Sequence, residues 1–243
     1  MRDWQGKRYW IVGASEGLGR ALAERLSRAG CELILSARSA DRLHTLAADL
    51  PGRARVVTVD VTDDESVARA TAEVGEIDGV VFLAGAYWPQ SAADWDPQKV
   101  TAMCDVNFTG CARVMGHVVP GMVARDFGHV VMTGSLSGFR GLPGAVGYGA
   151  SKAGVMYLAE GLYGELRKTG VDVQLVNPGF IRTRLTDKND FSMPFIMDPD
   201  QAAQEVFEHM QGDGFKKSFP FAFAGMFRLT QFLPDWLYFR LFG

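Results

Sequence analysis

Short apolar segments alternate along this chain with segments whose apolar residues recur at helical spacing. The predicted strands span residues 9–12, 32–37, 55–59, 79–83, 129–133 and 171–176. Such alternation predicts a parallel sheet with helices on both faces and with ligands outside the carboxyl ends of the strands. The chain has 243 residues and no internal repeat or Ser/Gly-rich linker, so we expect residues 1–243 to form one doubly wound α/β domain.

The first predicted strand ends at a glycine-rich turn. Gly13, Gly17 and Gly19 follow it in the spacing Gly-x-x-x-Gly-x-Gly, and residues 20–29 have the pattern of an amphipathic helix. Glycine permits backbone angles closed to other residues and lets a phosphate reach the first amides of a helix, where the dipole favours negative charge. Such a turn alone can be a simple tight turn, but between a strand and a helix it predicts a pyrophosphate site.

The second predicted strand ends beside an arginine, Arg38. In doubly wound sheets this strand end meets the adenosine ribose, where a carboxylate binds the 2′-hydroxyl of NAD and an arginine suits the 2′-phosphate of NADP. Ala37 and Arg38 supply a guanidinium and no carboxylate, which favours NADP. The alternative is an ordinary arginine of a solvated loop.

Tyr148 and Lys152 lie four residues apart at a predicted helix start. In a helix, residues i and i+4 share a face, so the ammonium is expected beside the phenol. A nearby cation lowers the pKa of a phenol from its ordinary value of about 10, which produces a general acid or base. The same spacing also occurs on ordinary solvated helix faces.

Two further polar residues belong to the same predicted edge of the sheet. Asn107 lies in an apolar helical segment, residues 97–125, where its amide needs a hydrogen-bonding partner. Ser135 follows the fifth strand, and Ser137 is its nearest rival. The family resemblance given below decides for Ser135, because its pattern places the serine three residues before a glycine and Gly138 satisfies this; Ser137 is then a loop-capping hydroxyl.

Charge and composition exclude several classes of function. The net charge is −3 and no basic run exceeds a few residues, which argues against nucleic acid and against a polybasic membrane patch. The first residues are polar where a signal peptide needs an apolar run, and no run is long enough to cross a bilayer, so we expect a cytoplasmic protein. The 3 cysteines and 4 histidines lack metal-ligand spacing, so we expect no metal site.

Two late segments are unusually apolar for exposed loops. Residues 180–197 contain three phenylalanines, and we interpret them as a lid over an apolar pocket to which Tyr87 and Trp88 contribute. The alternative is that these side chains cover the core. Residues 215–243 form an aromatic C-terminal extension, for which core packing and oligomer contact are favoured over interfacial membrane contact.

These features occur in an order that closely resembles the short-chain dehydrogenase/reductase family. The resemblance runs from residue 7 to about residue 210 and rests on the glycine turn followed by Asn107, Ser135, Tyr148, Lys152 and the stretch Asn177-Pro178-Gly179. It implies a Rossmann-like sheet of about seven strands. It also implies an oxidoreductase that moves a hydride between NADP(H) and a carbonyl or secondary alcohol.

The resemblance implies a role for each of four polar residues. Tyr148 would give its proton to the carbonyl oxygen in reduction, or take the hydroxyl proton in oxidation, while Ser135 hydrogen-bonds the same oxygen. Lys152 would lower the pKa of the phenol and hold the nicotinamide ribose. Asn107 would anchor a water that links Lys152 to solvent.

The resemblance further implies how the cofactor is held. Asp60 would contact the adenine edge and Thr183 the carboxamide, while Ser15 and Arg38 would receive the 2′-phosphate. The expected cofactor-binding residues are Gly13, Ser15, Gly17, Leu18, Gly19, Arg38, Asp60, Val61, Ala84, Gly85, Tyr148, Lys152, Pro178, Gly179, Ile181 and Thr183. Many relatives that prefer NADP carry a basic residue where this chain has Glu16, so the preference for NADP over NAD rests chiefly on Arg38.

We therefore expect an NADP-dependent oxidoreductase acting on an apolar small molecule. The alternatives are a non-catalytic NADP-binding sensor or interaction protein on the same fold, and a peripheral membrane reductase held by the aromatic extension. Family members form dimers or tetramers through helices equivalent to residues 97–125 and 150–168, so the resemblance implies a homodimer or homotetramer.

Overall fold

Seven strands form one parallel sheet in the computed structural model, which describes residues 2–242. They are β1 (Arg8–Val12), β2 (Glu32–Ser36), β3 (Ala54–Val56), β4 (Gly79–Phe82), β5 (Gly128–Thr133), β6 (Val171–Pro178) and β7 (Lys216–Phe219). Their order across the sheet is β3-β2-β1-β4-β5-β6-β7, so the winding reverses between β1 and β4 and opens a crevice at the carboxyl ends. The predicted doubly wound α/β sheet of about seven strands is confirmed.

Within the same residues, α-helices cover both faces of the sheet. They are α1 (Gly17–Arg28), α2 (Ala40–Asp49), α3 (Asp64–Val74), α4 (Pro97–Cys104), α5 (Gly110–Ala124), α6 (Val146–Leu166), α7 (Pro199–Gln211), α8 (Phe221–Thr230) and α9 (Asp235–Phe242). Alternate strand residues enter two separate cores. Tyr9 and Ile11 pack under α1, α2 and α7, whereas Trp10 and Val12 pack under α3, α5 and α6.

The seventh strand lies inside the segment predicted as a continuous aromatic extension. β7 bonds to β6 along one side only, and its first residues, Lys216 and Lys217, are partly exposed. Edge strands tolerate charged residues because one of their sides faces solvent. The polar start of this strand explains why an apolar pattern does not reveal it.

The helix predicted over residues 97–125 is divided in two. A π-helical turn at Asp105–Thr109 separates α4 from α5 and contains Asn107, whose side chain is fully buried. Such turns insert one extra residue into a helix and are frequent at functional sites.

The C-terminal extension is held in place by Arg140. One of its guanidinium nitrogens, Nη1, donates to the carbonyls of Thr230 and Leu233, at 2.7 Å each, and its Cζ lies 4.0 Å from the centroid of the Tyr238 ring. The exposed large apolar side chains of the extension are Phe221, Met226, Leu229, Phe232, Trp236, Phe239 and Leu241. Core packing therefore explains only part of this segment.

None of the helices within residues 2–242 has the length and apolar character to cross a membrane.

Candidate active site

A cleft of about 600 Å³ lies at the carboxyl edge of the sheet. Every residue expected to bind the cofactor lines it, from Gly13 in the turn after β1 to Thr183 beyond β6. Tyr148 and Lys152 form part of the same wall. The fold thus brings together residues that are far apart in the chain, as the carboxyl ends of parallel strands should.

The glycine turn at one end of the cleft requires glycine for its shape. Gly13 has φ of +98°, and a Cβ there would lie 2.5 Å from the Ala84 amide nitrogen. Gly17 has φ of +55°, in the left-handed region, and a Cβ on Gly19 would collide with the Gly13 carbonyl. No side chain caps the start of α1, and its first turn contains no acidic residue. The amides of that turn are available to an anion.

Two arginines hold the carboxylate of Glu16 beside this turn. Arg42 Nη1 lies 2.7 Å from Glu16 Oε2, and Arg184 Nη2 lies 2.7 Å from Glu16 Oε1. All three line the cleft, as do Ser15 and Arg38. The sequence reasoning missed both arginines. Arg42 follows Arg38 by four residues, which is a usable signal, whereas Arg184 is 168 residues from Glu16 and no local pattern marks it.

Asp60 stands just after β3, at the adenosine end of the cleft. Its Oδ1 accepts hydrogen bonds from the Thr62 amide at 3.0 Å and the Thr62 hydroxyl at 2.8 Å. Burial raises the pKa of this carboxyl, but the Thr62 hydrogen bonds and the charge of Arg38 outweigh burial and hold the pKa below its ordinary value. Asp60 is therefore ionised at neutral pH, and its contact with adenine stays a prediction.

Lys152 is buried in the second turn of α6. Its Nζ donates to the Thr133 carbonyl at 2.9 Å and lies 5.8 Å from the centroid of the Tyr148 ring. Burial lowers the pKa of Lys152 to about 8, although the nearby Cys111 acts in the opposite direction. The ammonium is therefore mostly charged at neutral pH and loses its proton in mildly alkaline solution.

The pKa of Tyr148 shifts in the direction opposite to the prediction. Burial raises it to about 12, a hydrogen bond with Ser135 opposes this, and Tyr87 adds to it. Lys152 is not among the causes, because its ammonium is directed at the Thr133 carbonyl. The prediction that Lys152 lowers the pKa of this phenol is wrong here, since burial outweighs the i,i+4 spacing. Tyr148 stays protonated at neutral pH and can donate a proton.

Ser135 follows β5 and its side chain is fixed by Ser137. Ser135 Oγ accepts hydrogen bonds from the Ser137 amide at 3.2 Å and from the Ser137 hydroxyl at 3.0 Å. Because both bonds are accepted, the Ser135 proton is free to be donated towards Tyr148 or a ligand. Ser137 thus orients Ser135.

Asn107 ties the π-helical turn to the wall of the cleft. Its Oδ1 accepts from the Ala86 amide at 2.7 Å, and its Nδ2 donates to the Ala86 carbonyl at 3.0 Å and to Ser151 Oγ at 2.9 Å. These are the partners that a buried amide requires. A water held by Asn107 for Lys152 stays a prediction.

The predicted lid, residues 180–197, packs partly on the C-terminal extension. The centroid of the Phe180 ring lies 5.9 Å from that of Phe191 and 5.8 Å from that of Phe223. Phe191 and Phe195 are 48% and 61% exposed. Some of the lid side chains therefore cover protein, and others are exposed to solvent.

Comparison with known proteins assigns the family. The family model described as short chain dehydrogenase matches residues 7–192, a range that includes the glycine turn, Tyr148 and Lys152. The chain belongs to the short-chain dehydrogenase/reductase family. It is an oxidoreductase of that family. An uncharacterized oxidoreductase of Myxococcus xanthus is 37% identical over 237 residues, which cover 94% of this chain and 93% of the relative.

Solved structures of the family show the same fold. A short-chain dehydrogenase from Sphingobium yanoikuyae in complex with NADPH matches with a TM-score of 0.82 and 26% identity, over 94% of this chain and 97% of that one. One from Burkholderia phymatum in complex with NAD is 24% identical and shows the fold alone, with a TM-score of 0.86 over 95% of this chain and 94% of that one. Because these proteins hold different cofactors, the fold does not decide between NADP and NAD.

Proposed function

We propose that this oxidoreductase uses NADPH to reduce a carbonyl group of an apolar small molecule, with Tyr148 as the proton donor. The observation that carries the proposal is that Tyr148 and Lys152 line the same cleft as the glycine turn, with Ser135 hydrogen-bonded to Tyr148. Oxidation of a secondary alcohol would use the same groups in reverse. Trp88 and Leu185, which line the cleft, favour an apolar substrate.

The residues of the cleft fit a dinucleotide. Added Cβ atoms at Gly13 and Gly19 would collide with the backbone, and the open start of α1 offers amides to a pyrophosphate. Lys152 and Thr183 would hold the nicotinamide end. Once bound there, NADPH supplies the hydride that reduces the carbonyl carbon.

The side chains then supply the proton and stabilise the developing charge. Tyr148, a neutral phenol because burial raises its pKa to about 12, donates its proton to the carbonyl oxygen. Ser135 donates a second hydrogen bond to that oxygen, so two donors face the charge that develops there. The Lys152 ammonium, 5.8 Å from the centroid of the Tyr148 ring, would hold the nicotinamide ribose beside the phenol.

We assign the preference for NADP to Arg38 and Arg42. Arg38 is exposed at the adenosine end of the cleft, and Glu16 holds Arg42 at the same end. Relatives with a basic residue in the glycine turn place the cation there directly. Here Glu16 stands at that position and binds a guanidinium from α2 instead, which is suited to a phosphate.

Isothermal titration calorimetry with two fragments tests this assignment. Adenosine 2′,5′-bisphosphate and adenosine 5′-monophosphate differ only in the 2′-phosphate, so the ratio of their dissociation constants isolates that group. We expect Arg38→Ala and Arg42→Ala each to weaken binding of the bisphosphate by about tenfold and to leave the monophosphate unchanged. Arg53→Ala, on the exposed side chain paired with Glu32, is the matched control.

The double variant Glu16→Gln/Arg42→Ala separates two roles of Arg42. If Arg42 contacts the 2′-phosphate, its loss weakens bisphosphate binding in the Glu16→Gln background as well. If Arg42 only neutralises Glu16, the Glu16→Gln change restores the affinity, and direct contact is excluded.

A panel of ketones and aldehydes with NADPH consumption as the readout tests the catalytic proposal. We expect at least one apolar carbonyl compound to be reduced. Tight NADPH binding with no compound reduced, and with Tyr148→Phe indistinguishable from wild type, would instead favour a cofactor sensor.

We also propose that the protein is a cytoplasmic homo-oligomer. Tyr157 and Val146 on α6 are 81% and 38% exposed, and Phe108, which packs beside Gly154 of that helix, is 38% exposed. An apolar face is therefore available on the helices expected to form the contact. Light scattering after size exclusion checks this: Tyr157→Glu should lower the molar mass if the face is a subunit contact, and an unchanged mass counts against it.

A further inference from the structure

The lid is hydrogen-bonded to the segment that follows β4. Lys188 Nζ donates to the Tyr87 carbonyl at 2.7 Å and lies 4.3 Å from the centroid of the Trp88 ring. The Tyr87 hydroxyl donates to Asn189 Oδ1 at 2.7 Å. Asn189 Nδ2 donates to Met193 Sδ at 3.2 Å, which directs the amide oxygen towards Tyr87. We refer to Tyr87, Trp88, Lys188 and Asn189 as the clasp.

The ring of Tyr87 also packs against the ring of Tyr148. Their centroids are 4.9 Å apart and their planes meet at 79°, an edge-to-face arrangement. Burial raises the pKa of Tyr87, and the charge of Asp190 adds to this, so its hydroxyl remains a donor at neutral pH. One side chain therefore bonds the lid through its hydroxyl and supports Tyr148 through its ring.

Three groups from different elements face Tyr148. Ser135, after β5, bonds only at the phenol hydroxyl. Lys152, on α6, directs its ammonium at the Thr133 carbonyl. Tyr87, after β4, packs its ring edge to face with the Tyr148 ring. This contact supports the position of the Tyr148 ring, and displacements of about 0.5 Å are enough to impair a catalytic group.

We propose that Tyr87 is a positioning residue for Tyr148 and that the clasp makes this position depend on closure of the lid. The proposal rests on the proposed function, because it takes Tyr148 as the proton donor. A closed lid seats the Tyr87 ring against the phenol and excludes water from it. An open lid releases Tyr87 and leaves Tyr148 hydrated and loosely held.

Two substitutions at one position separate the hydroxyl from the ring. Tyr87→Phe removes the donor to Asn189 and keeps the ring contact with Tyr148, whereas Tyr87→Leu removes both. In hydrogen–deuterium exchange we expect amides of residues 180–197 to exchange about fivefold faster in Tyr87→Phe and in Asn189→Ala, because one hydrogen bond is lost. The control is Tyr157→Phe, at an exposed position on α6. Exchange at the wild-type rate in both variants overturns the clasp.

The titration of Tyr148 reports the positioning role directly. In NMR of protein labelled at the tyrosine Cζ, Tyr148→Phe identifies the Tyr148 signal. We expect Tyr87→Leu to shift the titration of this phenol to lower pH, since its burial is lost, and Tyr87→Phe to shift it less. A titration curve in Tyr87→Leu that matches wild type overturns the positioning role. Unchanged circular dichroism and NADPH affinity show that each variant has folded.

Turnover separates failure of this inference from failure of the proposed function. With a carbonyl compound reduced by the wild type, Tyr87→Leu should lower kcat by about tenfold with a smaller change in KM, because the donor and not the binding surface is displaced. Tyr87→Phe should retain more of kcat. If the wild type reduces no carbonyl compound, the proposed function fails, while the exchange and titration results still decide the role of Tyr87.

Discussion

Two tyrosines of this protein lie beside nitrogen-bearing side chains near opposite ends of the sheet: Tyr9 is buried in the core, whereas the partly exposed Tyr148 lines the cleft. The Tyr9 hydroxyl, near the amino end of β1, lies 2.8 Å from His129 Nδ1. Tyr148, at the carboxyl edge, lies beside Lys152. Burial raises the pKa of both phenols. Burial and a shifted pKa therefore do not by themselves identify a reactive tyrosine.

The network around Tyr9 is closed by protein groups. Gln174 Nε2 donates to the carbonyls of His209, Gly212 and Gly214. The amide oxygen of Gln174 therefore faces His129 Nε2, at 2.9 Å, so this nitrogen carries the proton and His129 Nδ1 accepts from Tyr9. Burial lowers the pKa of His129 to about 3, so the ring is neutral. Both ring nitrogens of His129 therefore have partners within the protein.

The groups around Tyr148 are left open. Tyr148 and Lys152 line a cleft of about 600 Å³, and the recorded hydrogen bond of Lys152 uses one of the three donors of an ammonium. Ser135 is oriented with its proton available. The difference between the two tyrosines is that Tyr148, the proposed proton donor, has unfilled hydrogen-bonding capacity beside a cavity.

Phenylalanine at each tyrosine should give opposite results, and this is the largest expected effect. Tyr148→Phe should lower kcat by about 10³-fold, because the proton donor is lost, with little change in the free energy of unfolding. Tyr9→Phe should lower that free energy by about 2 kcal/mol, because His129 Nδ1 loses its donor, with turnover retained. NADPH oxidation and urea unfolding of both variants check this. Turnover lost in Tyr9→Phe and kept in Tyr148→Phe would reverse our assignment.

Two buried side-chain amides, Gln174 near Tyr9 and Asn107 near the cleft, extend the comparison of the two regions. Gln174→Ala should cost about 3 kcal/mol of unfolding free energy, because several buried carbonyls lose their donor, and should leave KM unchanged. Asn107→Ala should destabilise the protein too, but it should also lower turnover, because Asn107 holds Ala86, which lines the cleft and precedes Tyr87. Unfolding and kinetics on the same samples decide. If Gln174→Ala and Asn107→Ala change turnover equally, the two amides do not differ in their relation to the active site.

Acid should unfold the protein through His129. The pKa of about 3 in the folded state lies below the ordinary value of 6.5, so the unfolded state binds more protons between these values. The free energy of unfolding should therefore fall by about 2 kcal/mol between about pH 6.5 and about pH 4.5. His129→Gln should flatten this slope, whereas the exposed His44→Gln should not. Identical slopes in wild type and His129→Gln would contradict a buried neutral histidine.

Alkaline pH should change the rate through Lys152, the neighbour of Tyr148. Above the Lys152 pKa of about 8 the ammonium loses its proton, and kcat for reduction should fall. Well above this pKa, the fall should approach about tenfold for each pH unit. The folded pKa lies below the ordinary 10.5, so the charged lysine costs stability below pH 8 and this cost disappears as the pH rises to 10.5. Lys152→Arg, which keeps its charge, should lose the alkaline limb. If the alkaline fall of kcat persists in Lys152→Arg, it is caused by the titration of another group, and this prediction is wrong.

Sequence patterns predicted most of the fold because central parallel strands are apolar on both faces and end in recognisable turns. The pattern missed β7, whose lysines suit an edge strand, and the π-helical turn around Asn107, which has no periodic signature. It also predicted the residues that line the cleft, since glycine spacing and strand ends are local features. It could not predict the pKa of Tyr148, because burial and the direction of the Lys152 ammonium depend on distant parts of the chain.

The clasp and the Glu16 ion pairs escaped sequence reasoning for the same reason. Asn189 is 102 residues from Tyr87, and Arg184 is 168 residues from Glu16. Contacts between residues so far apart in the chain can be identified only from the three-dimensional arrangement of the strands. They also lie at the two ends of the cleft, where cofactor and substrate choice are expected to be decided.

NADPH oxidation in the presence of an apolar carbonyl panel, run in parallel on wild type, Tyr148→Phe and Tyr9→Phe, tests the role of the open tyrosine most directly. We predict that the wild type and Tyr9→Phe reduce the same compounds, and that Tyr148→Phe binds NADPH with wild-type affinity but reduces none of them at a comparable rate. Reduction by Tyr148→Phe at the wild-type rate would contradict the assignment of Tyr148 as the proton donor.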